Sequence, residues 1–373
     1  MEERCRSKNR EVGGGFMLLK SMRRYSMVGL VVVALILAII YTLYAWQGQH
    51  PYQPGIKLLP KKIPPISTDI KYYGRWDNKD RQEYVSYWGG AYFKTAFTGQ
   101  HVKLRLGEKA ALYASIDGGP DMPYHDVDGL VNLTPQPLAP GKHTLRVAGG
   151  SEWTTIHFQG LVLDPGARSV EPTVSSDMIE FIGDSITAGF SDSRNDLSSY
   201  AWLTGEKLGA EHVQIATSGI CLSSTAPSCA GMDTQFFKLQ TLQYPDSPLW
   251  DAKRYTPDAV VINLGTNDYN HGQSADAFEL SYLVFIANLR LRYPNTAIYA
   301  MRTFSGYMEL PTRAAVYLLN AAGDHNVFYV DTTGWLTPGS SDFTDAIHPS
   351  DSGQSKAATF LAFLLQHRHA GEI

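Results

Sequence analysis

Met178-Ile179-Glu180-Phe181-Ile182-Gly183-Asp184-Ser185 is the stretch that decides the reading of this chain. Met178–Ile182 reads as an apolar strand, and the chain then turns through Gly183 and Asp184 onto a serine. Downstream, strand and helix signals alternate. Tyr200–Leu208 is a predicted helix and Val213–Ala216 a strand; Ala259–Leu264 is a strand, and Ala275–Tyr293 has helical periodicity. Ala297–Met301, a helix from Pro311, Val327–Val330 and a final helix from Pro349 follow. Strands alternating with helices imply a parallel sheet covered on both faces, an α/β fold. Ligands in such sheets bind beyond the carboxyl ends of the strands.

Further motifs fall at those ends, in a fixed order after Gly183-Asp184-Ser185: Ser218-Gly219, Gly265-Thr266-Asn267-Asp268 and Asp345-Ala346-Ile347-His348. Ser185 is a candidate nucleophile, which needs an adjacent base because a free hydroxyl is a poor one. His348 is the candidate base, and Asp345, three residues earlier, can accept from its Nδ1–H and fix the tautomer. Pro349 suits the first position of the last helix, which puts His348 at its mouth. The backbone N–H groups of Ser185 and Gly219 and the side-chain amide of Asn267 are candidate oxyanion donors. Gly219 lets its backbone approach a tetrahedral centre without a Cβ in the way. Taken singly, each motif also reads as an ordinary feature: a capping serine, a turn, a surface histidine. Together they supply the parts for acyl transfer through a serine ester.

The order and wording of these motifs resemble the SGNH hydrolases, also called the GDSL-like lipase/acylhydrolase superfamily. The resemblance covers residues 178 to about 366 and includes Ser185, Gly219, Asn267 and His348. Upstream, the stretch Ile70-Lys71-Tyr72-Tyr73-Gly74-Arg75 opens a β-rich segment. A small jelly roll joined to an SGNH domain looks like carbohydrate esterase family 2, which removes acetyl groups from polysaccharides. The resemblance implies an acetyl-serine intermediate and no metal or other cofactor. Family members sometimes replace the triad aspartate with a backbone carbonyl, whereas here Asp345 stands at the expected spacing. Other readings remain open: a lipid esterase or thioesterase of the same superfamily, or a non-catalytic glycan-binding receptor. Tyr269, after the Asn267 loop, and Trp335, before Asp345, are candidates to stack on a sugar face or simply to pack loop against sheet.

The organisation expected is a basic cytosolic tail over 1–26, a transmembrane anchor over 27–46, a stalk over 47–67, a β-sandwich or jelly-roll domain over 68–166 and the SGNH domain over 177–370. In the β-domain the expected strands are Asp69–Tyr73, Tyr92–Phe97, Val102–Leu106, Ala111–Ile116, His143–Val147 and Thr155–Leu163, separated by turn signals such as Asp117-Gly118-Gly119. Pro51, Pro54, Pro60, Pro64 and Pro65 make the stalk extended rather than helical. Met27 to Trp46 carries no charge and is long enough to span a hydrocarbon core. Arg4, Arg6, Lys8, Arg10, Lys20, Arg23 and Arg24 precede it, and no Lys or Arg follows until Lys57. The positive-inside rule then places the N-terminus in the cytosol and the catalytic domain outside or in a lumen. A cleaved signal peptide leading to secretion is the alternative.

In an oxidising compartment Cys221 and Cys229 can close a small disulfide loop; otherwise they are two buried thiols. Cys5 precedes the apolar run and belongs to the opposite side. Asn132-Leu133-Thr134 is an N-glycosylation sequon, followed by Pro135. A composition of 44% hydrophobic and 18% charged residues argues against widespread disorder. A net charge of −4 argues against a nucleic-acid partner, which wants a clustered basic surface. The 21 tyrosines serve either as β-strand filling or as sugar-stacking rings. His367 and His369 read as a solvated pair. The expected partners are an acetylated carbohydrate and, through the N-terminal helix, a membrane.

Overall fold

The structure, a computed structural model, describes residues 15–49 and 59–369. Residues 15–49 form one helix, α1 (Gly15–Gln49), and residues from Leu59 onward form a separate compact unit. Within α1, Met27–Ala45 has a mean hydropathy of 2.6, and among the described residues it is the one helix long and apolar enough to cross a membrane. A signal anchor and a signal peptide both meet that description.

The compact unit begins with antiparallel strands: β1 (Pro60–Ile63), β2 (Ile70–Tyr73), β3 (Trp76–Asp77), β4 (Tyr84–Ser86), β5 (Tyr92–Thr98), β6 (Val102–Ile116), β7 (Met122–Asn132), β8 (Lys142–Gly149), β9 (His157–Pro165) and β10 (Ser169–Val170). They pair in the order β10-β5-β8-β6-β9-β4-β3, with β2 on β5, β7 on β6 and β1 on β9. Alternation sets the faces: Val102, Leu104 and Leu106 are buried between the outward Lys103 and partly exposed Arg105. They pack with Phe93, Phe97, Phe158 and Leu161 in a core of the β-domain's own.

The α/β part follows as β11 (Met178–Gly183), α2 (Tyr200–Leu208), β12 (Glu211–Ala216), α3 (Met232–Gln235), β13 (Ala259–Asn263), α4 (Thr266–Asn270), α5 (Ala275–Arg292), β14 (Ala297–Met301), α6 (Glu309–Ala321), β15 (Val327–Val330) and α7 (Asp351–His369). All pairings in this sheet are parallel, in the order β12-β11-β13-β14-β15. Ser199 caps α2 by accepting from the Trp202 N–H, and Gly209 ends it in the left-handed region. Its sheet strands are buried throughout in β12 and β13, as expected for strands covered on both faces.

The two domains are locked by buried polar contacts. The Tyr92 hydroxyl donates to Glu211 at 2.6 Å, Lys94 pairs with the same carboxylate at 2.8 Å, and the Trp88 indole donates to the Leu239 carbonyl at 3.0 Å. Arg75, fully buried, donates to the Lys238 carbonyl at 2.6 Å and lies 4.6 Å from the Phe236 ring centroid.

Several expectations are corrected. Val102–Leu106 and Ala111–Ile116 are one strand, β6, whose pairing with β7 shifts register between Leu106 and Ala110. The hairpin partner β7 escaped notice because nearly all of it faces solvent and it lacks alternation. The stretch 47–67 is not a uniform extended stalk: α1 runs through Gln49, and Pro60–Ile63 is a strand paired with β9. Pro60 is compatible with that strand because it stands at its first position. The last helix starts at Asp351, not Pro349; Ser350 accepts from the Gly353 N–H and serves as its cap. The basic tail up to residue 14, with Cys5, and residues 50–58 lie outside the described residues.

Candidate active site

Strand register brings the first three motifs together. β11 lies between β12 and β13, with Gly183 opposite Ala216 on one side and Asn263 on the other. The chain therefore leaves all three strands at one level, and the following residues carry Ser185, Gly219 and Asn267. One helical turn follows Ser185, with the Thr187 and Ala188 N–H groups donating to the Asp184 carbonyl at 3.1 and 3.0 Å. His348 arrives from the far edge of the sheet, in the loop between β15 and α7. That loop is tied down where Thr344 donates to the His348 carbonyl at 2.9 Å and Ser191 bonds Thr344 at 3.1 Å.

The Ser185 Oγ is 2.9 Å from His348 Nε2, and His348 Nδ1 is 2.7 Å from Asp345 Oδ2. The second Asp345 oxygen accepts from the Ile347 and His348 N–H groups at 2.9 and 2.7 Å. Partial burial works against the charge on Asp345, but these backbone bonds and the imidazole outweigh it and hold its carboxyl down to about 2. Asp345 is thus ionised at neutral pH and available to orient the ring.

Among the described residues, neither the Ser185 nor the Gly219 N–H has a hydrogen-bond acceptor. The Asn267 amide donates to the Ile220 carbonyl at 2.9 Å and makes a long contact of 3.4 Å with Asp184. Gly219 has φ +77°, and an added Cβ would meet nothing within 4 Å. The glycine is therefore required by its left-handed backbone, not by crowding from the protein. The loop after β12 is held at several points. Asp268 accepts from the Leu222 and Ser223 N–H groups at 2.8 and 3.0 Å, and Cys221 is disulfide-bonded to Cys229. Closing so short a loop restricts the unfolded chain by about 2–3 kcal/mol. Burial, reinforced for Asp184 by nearby acids, raises Asp184 to about 7 and Asp268 to about 6.

Other candidates fall in different places. Tyr269 is 54% exposed and stacks on Tyr307, with centroids 4.2 Å apart. Trp335 stacks on Phe360 of α7 at 5.4 Å and packs with that helix. Asn132 is exposed, whereas Thr134 of the same sequon is buried, donating to the Val102 carbonyl and accepting its N–H.

Sequence reasoning missed the β-domain's contribution. A hollow of about 290 Å³ lies between Ser151–Trp153, from the loop after β8, and Ala188, Phe190, Ser191 and Asn195. Trp153 is 56% exposed there, and the Phe190 ring lies 5.0 Å from the His348 ring. The buried Glu152 accepts from Thr217 Oγ1 at 3.0 Å and from both the N–H and the hydroxyl of Ser218. No local pattern marks Glu152; the sole hint is the Gly149-Gly150 pair that opens its loop.

Such a serine–histidine–carboxylate array at the strand ends of a five-stranded parallel sheet defines the SGNH class of hydrolase domain. Residues 181–356 match the GDSL-like Lipase/Acylhydrolase family and residues 72–172 the Carbohydrate esterase 2 N-terminal family. The chain thus carries a GDSL-like (SGNH) hydrolase domain behind a carbohydrate esterase 2 N-terminal domain. It is 29% identical over 309 residues to the cellulase/esterase CelE of Acetivibrio thermocellus, a match covering 75% of this chain and 37% of that protein. It is 30% identical over 207 residues to an acetylxylan esterase/glucomannan deacetylase of Cellvibrio japonicus, covering 50% of this chain and 56% of that protein. The chain thus spans about half or less of these curated relatives. A family two carbohydrate esterase from Clostridium thermocellum, solved with cellohexaose, is similar with a TM-score of 0.69 and 28% identity, over 82% of this chain and 100% of that one.

Proposed function

We propose that this protein is a serine esterase that removes O-acetyl groups from a polysaccharide or glycan through an acetyl-serine intermediate. The observation that carries the reading is the unbroken hydrogen-bonded series Asp345–His348–Ser185. His348 Nε2 takes the Ser185 proton as Oγ attacks the acetyl carbonyl. The new C–O bond makes a tetrahedral oxyanion, held by the N–H groups of Ser185 and Gly219 and by the Asn267 amide, which turns to it from its long contact with Asp184. One such donor is worth about 3–4 kcal/mol in the transition state. His348 then protonates the departing sugar oxygen. Water, deprotonated by His348, attacks the acetyl-serine and releases acetate. The activities named for the relatives, acetylxylan esterase and glucomannan deacetylase, agree with this substrate class.

The β-domain, which we read as a jelly roll, walls the cleft. A glycan chain lying in the hollow beside His348 would meet Trp153 and Phe190, which both line it, and Tyr269, stacked on Tyr307, is a further aromatic candidate. Trp153→Ala is expected to raise KM for acetylated xylan or glucomannan roughly tenfold, equivalent to about 1.4 kcal/mol of lost stacking, and to leave aryl acetate turnover unchanged. Acetate release on the polymer and colour release on the aryl ester check it. Equal effects on both substrates, or none on either, would remove Trp153 from the glycan site.

Finally, we read α1 as a signal anchor with the catalytic domain outside or in a lumen, where the Cys221–Cys229 bond persists and Asn132 is open to glycosylation. Membrane fractionation of the full chain checks this: the protein should stay with membranes after alkaline carbonate extraction. A soluble product lacking residues 15–49 would contradict it.

A further inference from the structure

We propose that Glu152, carried by the β-domain, is a positioning residue for the oxyanion hole. Its carboxylate holds Thr217 and Ser218 so that the next N–H, that of Gly219, stays where the oxyanion forms. The inference rests on the reading of Ser185 as an ester-hydrolysing nucleophile. Both Glu152 oxygens are occupied: Oε2 accepts from Thr217 Oγ1 and the Ser218 N–H, and Oε1 from the Ser218 hydroxyl. Every one of these donors lies within two residues of Gly219. Glycine has more backbone freedom than other residues, so the position of its N–H depends on what holds its neighbours. Downstream the restraint comes from the hydrolase domain itself, through Asp268 on Leu222 and Ser223 and through Asn267 on Ile220. Upstream, the pairing of β12 ends at Ala216 and the Thr217 N–H makes only a long contact of 3.4 Å to the Gly183 carbonyl, so the side-chain restraint on Thr217 and Ser218 comes from the other domain.

A merely adhesive role does not account for this arrangement. Glu152 is 6% exposed, and among the described residues no lysine, arginine or histidine forms an ion pair with it. Burying a carboxylate without a cation is costly unless several donors replace its water. The domains are already joined elsewhere by Glu211 with Tyr92 and Lys94, and by Trp88 with the Leu239 carbonyl. The loop presenting Glu152 is itself fixed. Thr154 donates to the Ser151 carbonyl at 2.9 Å, and a Cβ on Gly89 would come within 2.7 Å of the Glu152 Cα, so backbone packs directly behind the acid. The β-domain thus completes the catalytic site chemically as well as walling it.

The test uses an aryl acetate, which bypasses the glycan cleft, and a simple boronic acid that forms a tetrahedral adduct on a serine nucleophile. Glu152→Ala is expected to lower kcat about ten- to a hundredfold, the scale of a misplaced reacting group, with KM changed less than about threefold. Boronate affinity should weaken by a similar factor, and Glu152→Gln should recover most of both losses. A fall in melting temperature with kcat per folded molecule unchanged, or a change in KM alone, would overturn the proposal. If Glu152→Ala does not fold, Ser218→Ala decides: wild-type kcat and boronate affinity in that variant would overturn it. Wild-type protein that hydrolyses no ester would refute the esterase reading and this inference together. An active wild type matched by Glu152→Ala would refute the positioning role alone.

Discussion

Ser185→Ala is expected to lower kcat on an aryl acetate by roughly a millionfold, and His348→Ala by nearly as much, because nucleophile and base act as one unit. The double variant should lose scarcely more than either alone. The magnitude follows from the geometry. In the proposed mechanism the Ser185 hydroxyl, 2.9 Å from Nε2, transfers its proton as the C–O bond forms, and without the imidazole a serine hydroxyl is a poor nucleophile. What remains after either change is stabilisation by the oxyanion donors and by binding. Ser185→Ala removes one hydroxyl, so its melting temperature should stay close to that of the wild type. Thermal unfolding measured beside the kinetics separates loss of chemistry from loss of fold.

Asp345→Ala is the second large effect. The resemblance to carbohydrate esterase family 2 allows a backbone carbonyl to take the carboxylate's place. In this chain the partner of His348 Nδ1 is the Asp345 carboxylate at 2.7 Å, held down to about 2 by backbone donors and by the ring against the pull of burial. A carboxyl depressed in this way stabilises the folded loop above its ordinary range near 4, and that contribution fades only as pH falls toward about 2. Acid inactivation in the mildly acidic range therefore does not come from neutralising Asp345. The expected loss for Asp345→Ala is about 10⁴-fold in kcat, roughly a hundredfold less severe than for His348→Ala. Asp345→Asn should also be impaired, because the amide can stabilise the wrong imidazole tautomer. A loss under tenfold for Asp345→Ala would transfer the orienting role to a backbone carbonyl.

The α/β part was legible because its strands are short, apolar and separated by helices, of which α2, α5 and α7 open on a capping serine. Tyr200–Leu208, Ala297–Met301 and Val327–Val330 match the expected limits. The strand-end motifs were legible because register alone brings neighbouring strand ends together, and Gly183 opposite both Ala216 and Asn263 does so here. Less of the β-domain could be read: β7 is mostly solvent-facing and carries Pro123 and Gly129, so it shows neither alternation nor apolar character. Two tryptophans illustrate the limit for the site. Trp335 and Trp153 both sit in loops, and only the structure shows what each meets: one stacks on Phe360, the other stands 56% exposed at the hollow that Phe190 also lines. Glu152 was invisible for a simpler reason. Its partner Ser218 lies 66 residues away in another domain, and no periodicity or spacing reports such a contact.

The central claim is acetyl transfer through Ser185, and it meets its most direct test in acetate release from acetylated xylan or glucomannan. Wild type and Ser185→Ala are compared side by side at equal folded concentration. The account predicts steady acetate release by the wild type and release indistinguishable from buffer by the variant. Equal release by both proteins would contradict it.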